Sequence, residues 1–536
     1  MSPMACRWGL VFSTALVTLS GGTGPPPAFA VDGSPSTPGC SKDRGPCPPG
    51  GYPVLPGVFR LNGTDPHLPL DDLEPLRQIV GDASFVGLGE TVHTSGGYYE
   101  MKHRLFRYLV ERMGFRVLAF ETTWDNAESV EQYLETCDGG AEDHEDDGNG
   151  PDDDHAESPW EDHRGGNGPD SRGAHNAALA VSGSAQAAVR GIFPVWQSAE
   201  VRDLARWMCD WNRSHHQAKD RLHFYGFDIQ QPDNDGPALM EFLSRIGVAA
   251  DDSRILGIGK CDRVAGWFYP TPVPERDHVA CTDALASVEN LFTKDEARIV
   301  QLTSRHDLDW ARLRRLGLQA WEDEAFFNYS IPGRSFEARD RAMAYMVEAI
   351  RELEFPDEPR TVVWAHNVHL SKAGSEYYLG STMGTFLNGT LGDSYVALGL
   401  AAYSVSIDWY GVGCGPAFVR YDGSVERILH DLGNDYLLVD LDSPGGSTPL
   451  LQPNAPYRIG NLMMVPRRQF DGLVYMRYAR PMTPLAWPVC GEALTLQSNR
   501  QPLGPDHGLI PDSGQTRNLG QAPSIGQRSR AISNDR

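Results

Sequence analysis

The sequence predicts an α/β fold: a mainly parallel central sheet flanked by helices, with a helical lobe over the carboxyl ends of the strands. Three observations carry this. Short apolar runs of strand length alternate with longer segments whose apolar residues recur at helical spacing. The runs are apolar throughout, as expected of strands covered on both faces. Four of them end in a carboxylate or an imidazole, and in open α/β sheets the carboxyl ends of the strands line the ligand crevice.

The first thirty residues read as a signal peptide: Arg7, an apolar stretch from Trp8 to Ser20, and a small-x-small site at Ala28-Phe29-Ala30. That stretch is short for a bilayer span, and no later run reaches 18 apolar residues. The expected product begins at Val31, is periplasmic or secreted, and has no membrane anchor. Residues 31–55 are rich in Pro, Gly and Ser and read as a linker. A single catalytic domain is expected over 56–490.

That domain opens as β-α-β-α. Ser84 to Gly89 forms a run ending at Glu90, with His93 three residues on. Met101, Leu105, Leu109 and Met113 then recur at helical spacing, and Val117 to Phe120 runs into Glu121. Residues 138–186 break the pattern. Asp, Glu, Gly, Asn and Pro dominate, and 138–176 hold 13 Asp/Glu against 2 Arg, a net of −11 within the chain's −24. The composition is that of a solvated, disordered insertion, and its acids follow no EF-hand spacing. Helical periodicity resumes near Gln197, with Val201, Leu204, Met208 and Trp211 on one face. His223 to Phe227 runs into Asp228. A largely helical stretch follows to residue 353, with Ala342, Met346, Ile350 and Leu353 on one side. Thr361 to Ala365 runs into His366-Asn367-Val368-His369, and a last apolar run covers Tyr395 to Ala401. Residues 491–536 read as a disordered polar tail.

Cys6 falls in the signal, leaving eight cysteines, an even number that favours disulfides in an exported chain. Cys40–Cys47 and Cys261–Cys281 are the closest pairs in sequence; spacing does not fix the pairing. The acidity argues against nucleic acid and anionic membranes as partners. No Gly-x-Ser-x-Gly elbow, P-loop or Rossmann fingerprint occurs, which argues against a serine hydrolase and a nucleotide cofactor.

Each strand-end residue has a structural reading beside the chemical one. Glu90 could cap the helix that follows, with His93 packed against it. Glu121 could pair with Lys102 or Arg104, or orient an imidazole. Asp228 could cap a helix, and the His366–His369 cluster could satisfy backbone carbonyls, ligate a metal or donate to an oxyanion. Taken together they point to water chemistry run by His and Glu, with or without a metal.

Gly89-Glu90-x-x-His93, Glu121 after the next strand, and Trp364-Ala365-His366-Asn367-x-His369 resemble the erythromycin esterase family. Gly226-Phe227-Asp228, Arg339-Asp340 with Met343, and Met383-Gly384 add to the resemblance, which covers roughly 75–405. It implies hydrolysis of a small-molecule ester or lactone, macrolide-like among the candidates, by activated water without a covalent intermediate. In the roles it implies, His93 is the general base, Glu90 and Glu121 orient and polarise it and its water, and His366 and His369 steady the oxyanion. Lys102, Asp228 and Asn367 are the expected substrate-binding residues. Lys102 stands where the family typically has Arg, and Thr94 where Gly is usual, which would add bulk beside the base. The acidic insertion would flank the cleft and favour cationic substrates. No cofactor is expected. The alternatives are a divalent-metal hydrolase using Glu90, His93, Glu121, His366 and His369 as ligands, and a non-catalytic binding protein of envelope or polysaccharide assembly.

Overall fold

The computed structural model describes residues 53–489, except 138–183, 231–233, 262–272, 375–379, 418–420, 444–450 and single residues at 329, 356, 358, 412 and 453. The expected signal peptide, Cys40, Cys47, the polar tail and nearly all of the acidic insertion lie outside the described residues. The insertion's last three positions are described: Ser184 caps the short helix Ala185–Val189.

The strands, in chain order, are β1 (Pro53–Leu55), β2 (Val58–Arg60), β3 (Phe85–Leu88), β4 (Val117–Thr123), β5 (His223–Asp228), β6 (Thr361–Trp364), β7 (Tyr395–Asp408), β8 (Cys414–Pro416), β9 (Tyr436–Asp440), β10 (Tyr457–Ile459), β11 (Leu462–Met464) and β12 (Gly472–Ala479). All but the β10–β11 hairpin join one sheet, ordered β1-β2-β9-β12-β7-β3-β6-β4-β5, with β8 paired to β7. The run from β12 to β5 is parallel throughout. The expected parallel sheet is therefore its centre. β9 pairs antiparallel with β12 and with β2, and β1 with β2, so the sheet is mixed at one edge.

Alternate residues of the central strands divide between two cores. Val86, Leu88, Leu118, Phe120, Val362 and Trp364 face one, covered by helices Gly96–Met113, Trp124–Thr136 and Ala199–Ser214. Phe85, Val117, Ala119, Tyr225, Val363 and Ala397 face the other, beneath helices Arg305–Phe327 and Pro332–Glu354. Two-sided burial explains why these strands read as unbroken apolar runs. Each fully buried Leu or Phe contributes roughly 1.5–3 kcal/mol. The helical stretch has a core of its own in part: Leu239, Phe242, Ile258, Leu285, Phe292 and Leu308 join helices Asp235–Arg245, Ser253–Cys261 and Glu275–Lys294 to Arg305–Phe327. Disulfides link Cys261 to Cys281 within this lobe and Cys137 to Cys209 across the span that holds the insertion.

Register carries the catalytic candidates to one place. Leu88 of β3 and Phe120 of β4 both pair with Trp364 of β6, and Phe120 pairs with Gly226 of β5. Glu90, Glu121, His366 and Asp228 are each the first or second residue beyond that row. The β4–β5 register then shifts between Phe120 and Thr123, a bulge that re-aims Glu121. The close approach requires glycine at 226, where a Cβ would lie 2.2 Å from the Thr123 carbonyl oxygen.

Candidate active site

The segment after β3 turns on Gly89, where a Cβ would sit 1.9 Å from Asn367 Oδ1. It then presents Glu90 and His93 from a loop ahead of helix Gly96–Met113. Glu90 is fully buried and works with both oxygens. Oε1 lies 2.6 Å from His93 Nδ1, and Oε2 forms an ion pair of 2.9 Å with Lys102 Nζ. Lys102 also donates to the Ala365 carbonyl at 3.2 Å and lies 4.4 Å from the centre of the Trp364 ring. Burial holds its ammonium below the usual lysine range, against the pull of Glu90.

With Nδ1–H donated to Glu90, His93 keeps Nε2 as an acceptor, and no described residue bonds it. The imidazole has one third of its side-chain surface exposed. Its ring packs edge-on against Trp196 at 4.7 Å and lies 5.5 Å from His366.

His366 caps the short helix Asn367–Leu370, its Nδ1 accepting from the Val368 N–H at 3.2 Å. The ring proton therefore sits on Nε2. Burial, reinforced by His93 and His369, holds this imidazole well below the ordinary histidine range, so it is neutral. His369 is set the other way. Burial acts to lower it, but Asp340, whose two oxygens lie 2.9 and 3.0 Å from Nδ1, outweighs that and raises it. Nδ1–H points to Asp340, and Nε2 lies 3.4 Å from Glu121 Oε1 and from Arg339 Nη1.

Glu121 serves this half of the site. Its Oε2 accepts the His366 backbone N–H at 2.9 Å, and Oε1 is 3.4 Å from Arg339 Nη2. It orients the histidine pair of β6's end; among the described residues the hydrogen-bonding partner of His93 is Glu90. Asp228 holds Arg339 in a two-pronged ion pair of 3.0 and 2.6 Å. Although burial raises its carboxyl, the guanidinium holds it below the usual range.

The five expected catalytic residues thus share one crevice. The three expected substrate contacts lie behind it. Lys102 is sealed under Glu90, and Asp228 is committed to Arg339. Asn367 exchanges both amide bonds with the backbone of Leu400, at 2.8 and 3.1 Å. Thr94 is 4% exposed, with Oγ1 on the Asp408 carbonyl, so its bulk is turned into the fold. Among the described residues no three His, Cys, Asp or Glu side chains are close enough together to hold a metal ion. Asp340, Arg339 and Trp196 are parts of the site not singled out from sequence as site residues. The Arg339-Asp340 pair did carry a signal: with Met343 it is part of the resemblance to the family.

The sequence model for erythromycin esterase matches residues 110–479. The chain belongs to the erythromycin esterase family. Glu90, His93 and Lys102 precede the matched span, and their place in the site rests on the geometry above. An erythromycin esterase type II of Escherichia coli is 23% identical over 375 residues, 65% of this chain and 75% of its own length. A putative hydrolase of Bacillus subtilis, YbfO, is 22% identical over 76% of this chain and 87% of its own. Family and relatives support a hydrolase. Among solved structures, a succinoglycan biosynthesis protein shares the fold with a TM-score of 0.57 at 19% identity, covering 80% of this chain and 96% of that one. A mutant of erythromycin esterase EreC in its open conformation does so with a TM-score of 0.55 at 16% identity, covering 78% and 96%.

Proposed function

We propose that this erythromycin esterase family member is an exported carboxylic ester hydrolase that cleaves an ester or lactone with water activated by His93. The observation that carries the reading is the Glu90–His93 pair. Glu90 fixes the Nδ1–H tautomer, and Nε2 is left as a proton acceptor on the exposed edge of the crevice. Water between Nε2 and the substrate carbonyl gives up a proton to His93 as its oxygen bonds to the carbonyl carbon. Negative charge then develops on the carbonyl oxygen. The His366 and His369 Nε2–H groups are the donors for it, and such aimed donors usually supply the largest share of rate enhancement. Collapse breaks the C–O bond, and His93 returns its proton to the leaving alkoxide. No step needs a covalent enzyme intermediate.

Export is supported by the leader motif and by the disulfides Cys137–Cys209 and Cys261–Cys281, and no helix among the described residues is long and apolar enough to cross a membrane. The test is steady-state kinetics on a panel of esters and lactones. His93→Ala is expected to lower kcat/KM by at least about 10²–10⁴-fold. Glu90→Gln is expected to lower kcat with little change in KM. Wild-type rates in His93→Ala would exclude the mechanism.

A further inference from the structure

The residue after His93 holds a backbone conformation that its side chain disfavours. Thr94 has φ 60°, in the left-handed region. β-branched residues rarely adopt it, and then only where the surroundings over-determine it. Here four hydrogen bonds do so. The Thr94 N–H donates to Tyr99 Oη at 2.7 Å, and Oγ1 donates to the Asp408 carbonyl at 3.0 Å. The Thr94 carbonyl accepts from the N–H groups of Asp408 and Met482, at 3.2 and 3.1 Å. Tyr99, fully buried, passes the constraint on, because its hydroxyl donates to the Val195 carbonyl at 2.8 Å. Val195 precedes Trp196, whose ring edges His93 and whose Nε1–H donates to the Glu121 carbonyl at 2.8 Å. The end of β7, the segment after β12, the Trp196 turn and β4 are thereby all tied to the residue beside the base.

We propose that Thr94 and Tyr99 are positioning residues for His93: the left-handed kink, locked by the Tyr99 hydroxyl and the Asp408 carbonyl, aims the imidazole at Glu90 and at the open edge of the crevice. The inference rests on the reading of His93 as general base. Neither residue touches substrate, since both are buried and their polar groups are engaged.

The test uses Thr94→Gly, Thr94→Ser and Tyr99→Phe in the mature full-length protein, read by kcat, KM, melting temperature and the His93 Nδ1–H proton resonance. Glycine accepts the backbone angle but drops the tether; serine keeps it. Thr94→Gly and Tyr99→Phe are expected to lose about 10–100-fold in kcat with KM within about twofold, because small misplacements of a catalytic group cost that much. Thr94→Ser should stay within about threefold of wild type. The His93 resonance should move in the Gly and Phe variants and hold in Ser. Folded Gly and Phe variants with wild-type kcat would overturn the proposal, as would Ser falling as far as Gly. If the wild type hydrolyses no ester, the functional reading fails separately. The resonance then decides the clamp, and an unchanged signal in the Gly and Phe variants rejects it.

Discussion

Three imidazoles meet in the crevice, and each is governed by a different partner: Glu90 for His93, the Val368 N–H for His366, Asp340 for His369. The division makes a pH test of roles. Removing the Asp340 charge with Asp340→Asn lowers the His369 pKa, because the carboxylate is what raises it against burial. If the protonated ring steadies the oxyanion, the alkaline limb of the pH–rate profile moves to lower pH in the variant; an unmoved limb removes His369 from that role. The buried Glu90–Lys102 pair makes a separate prediction. Lys102→Met should cost about 3–5 kcal/mol of stability, measured by denaturant unfolding, since it strands the Glu90 carboxylate. Glu90, His93, Glu121, His366 and His369 were legible because strand-end position and residue type coincide. Asp340 and Arg339 showed only as part of the family resemblance and not as site residues, because they come from mid-helix, where only the three-dimensional packing of Pro332–Glu354 brings them to the crevice.

At the scale of elements, the strands that carry the site were read closely, and the edge of the sheet was not. β3, β4, β5 and β6 are short, buried on both faces and end in polar residues, so they stand out. β7 was expected over Tyr395 to Ala401 and runs on to Asp408, into half-buried Tyr403, Ser404 and Ser406, whose polarity hides the continuation. That extension supplies the Asp408 contacts to Thr94. The β4 bulge left no sequence trace apart from Gly226. Another joint lies where the lobe meets the sheet: Arg314 bridges Asp125, after β4, and Asp235, at 2.8–3.0 Å. Burial, with Asp125 adding repulsion, pushes the Asp235 carboxyl up to about 7. The folded chain therefore keeps a proton, between about pH 4 and 7, that the unfolded chain has released. Stability falls as pH rises through that window, by roughly 2–4 kcal/mol. Asp235→Asn should lose this slope, and its melting temperature relative to wild type should rise from pH 5 to pH 8. Parallel curves for the two proteins would contradict it.

For the molecule as a whole, family membership and fold agree with a hydrolase built on a mixed sheet, helices on both faces and a lobe with its own core. The two disulfides that join described residues close spans of 72 and 20 residues. On chain-entropy grounds the longer one contributes about 1 kcal/mol more. The Cys137→Ala/Cys209→Ala double variant should therefore melt below the Cys261→Ala/Cys281→Ala one, and the reverse order would show that local packing dominates. Cys261–Cys281 was legible as a near neighbour in sequence. Cys137–Cys209 was not, because a fold, and no spacing rule, brings the end of helix Trp124–Thr136 against the interior of helix Ala199–Ser214. The central claim concerns His93 and water, and mass spectrometry tests it most directly. A 14-membered macrolide and simple esters would be incubated with the mature protein, with and without chelator, beside His93→Ala. The account predicts that a substrate gains one water with the wild type only, and equally with chelator. Product formed by His93→Ala, or abolished by chelator, would contradict it.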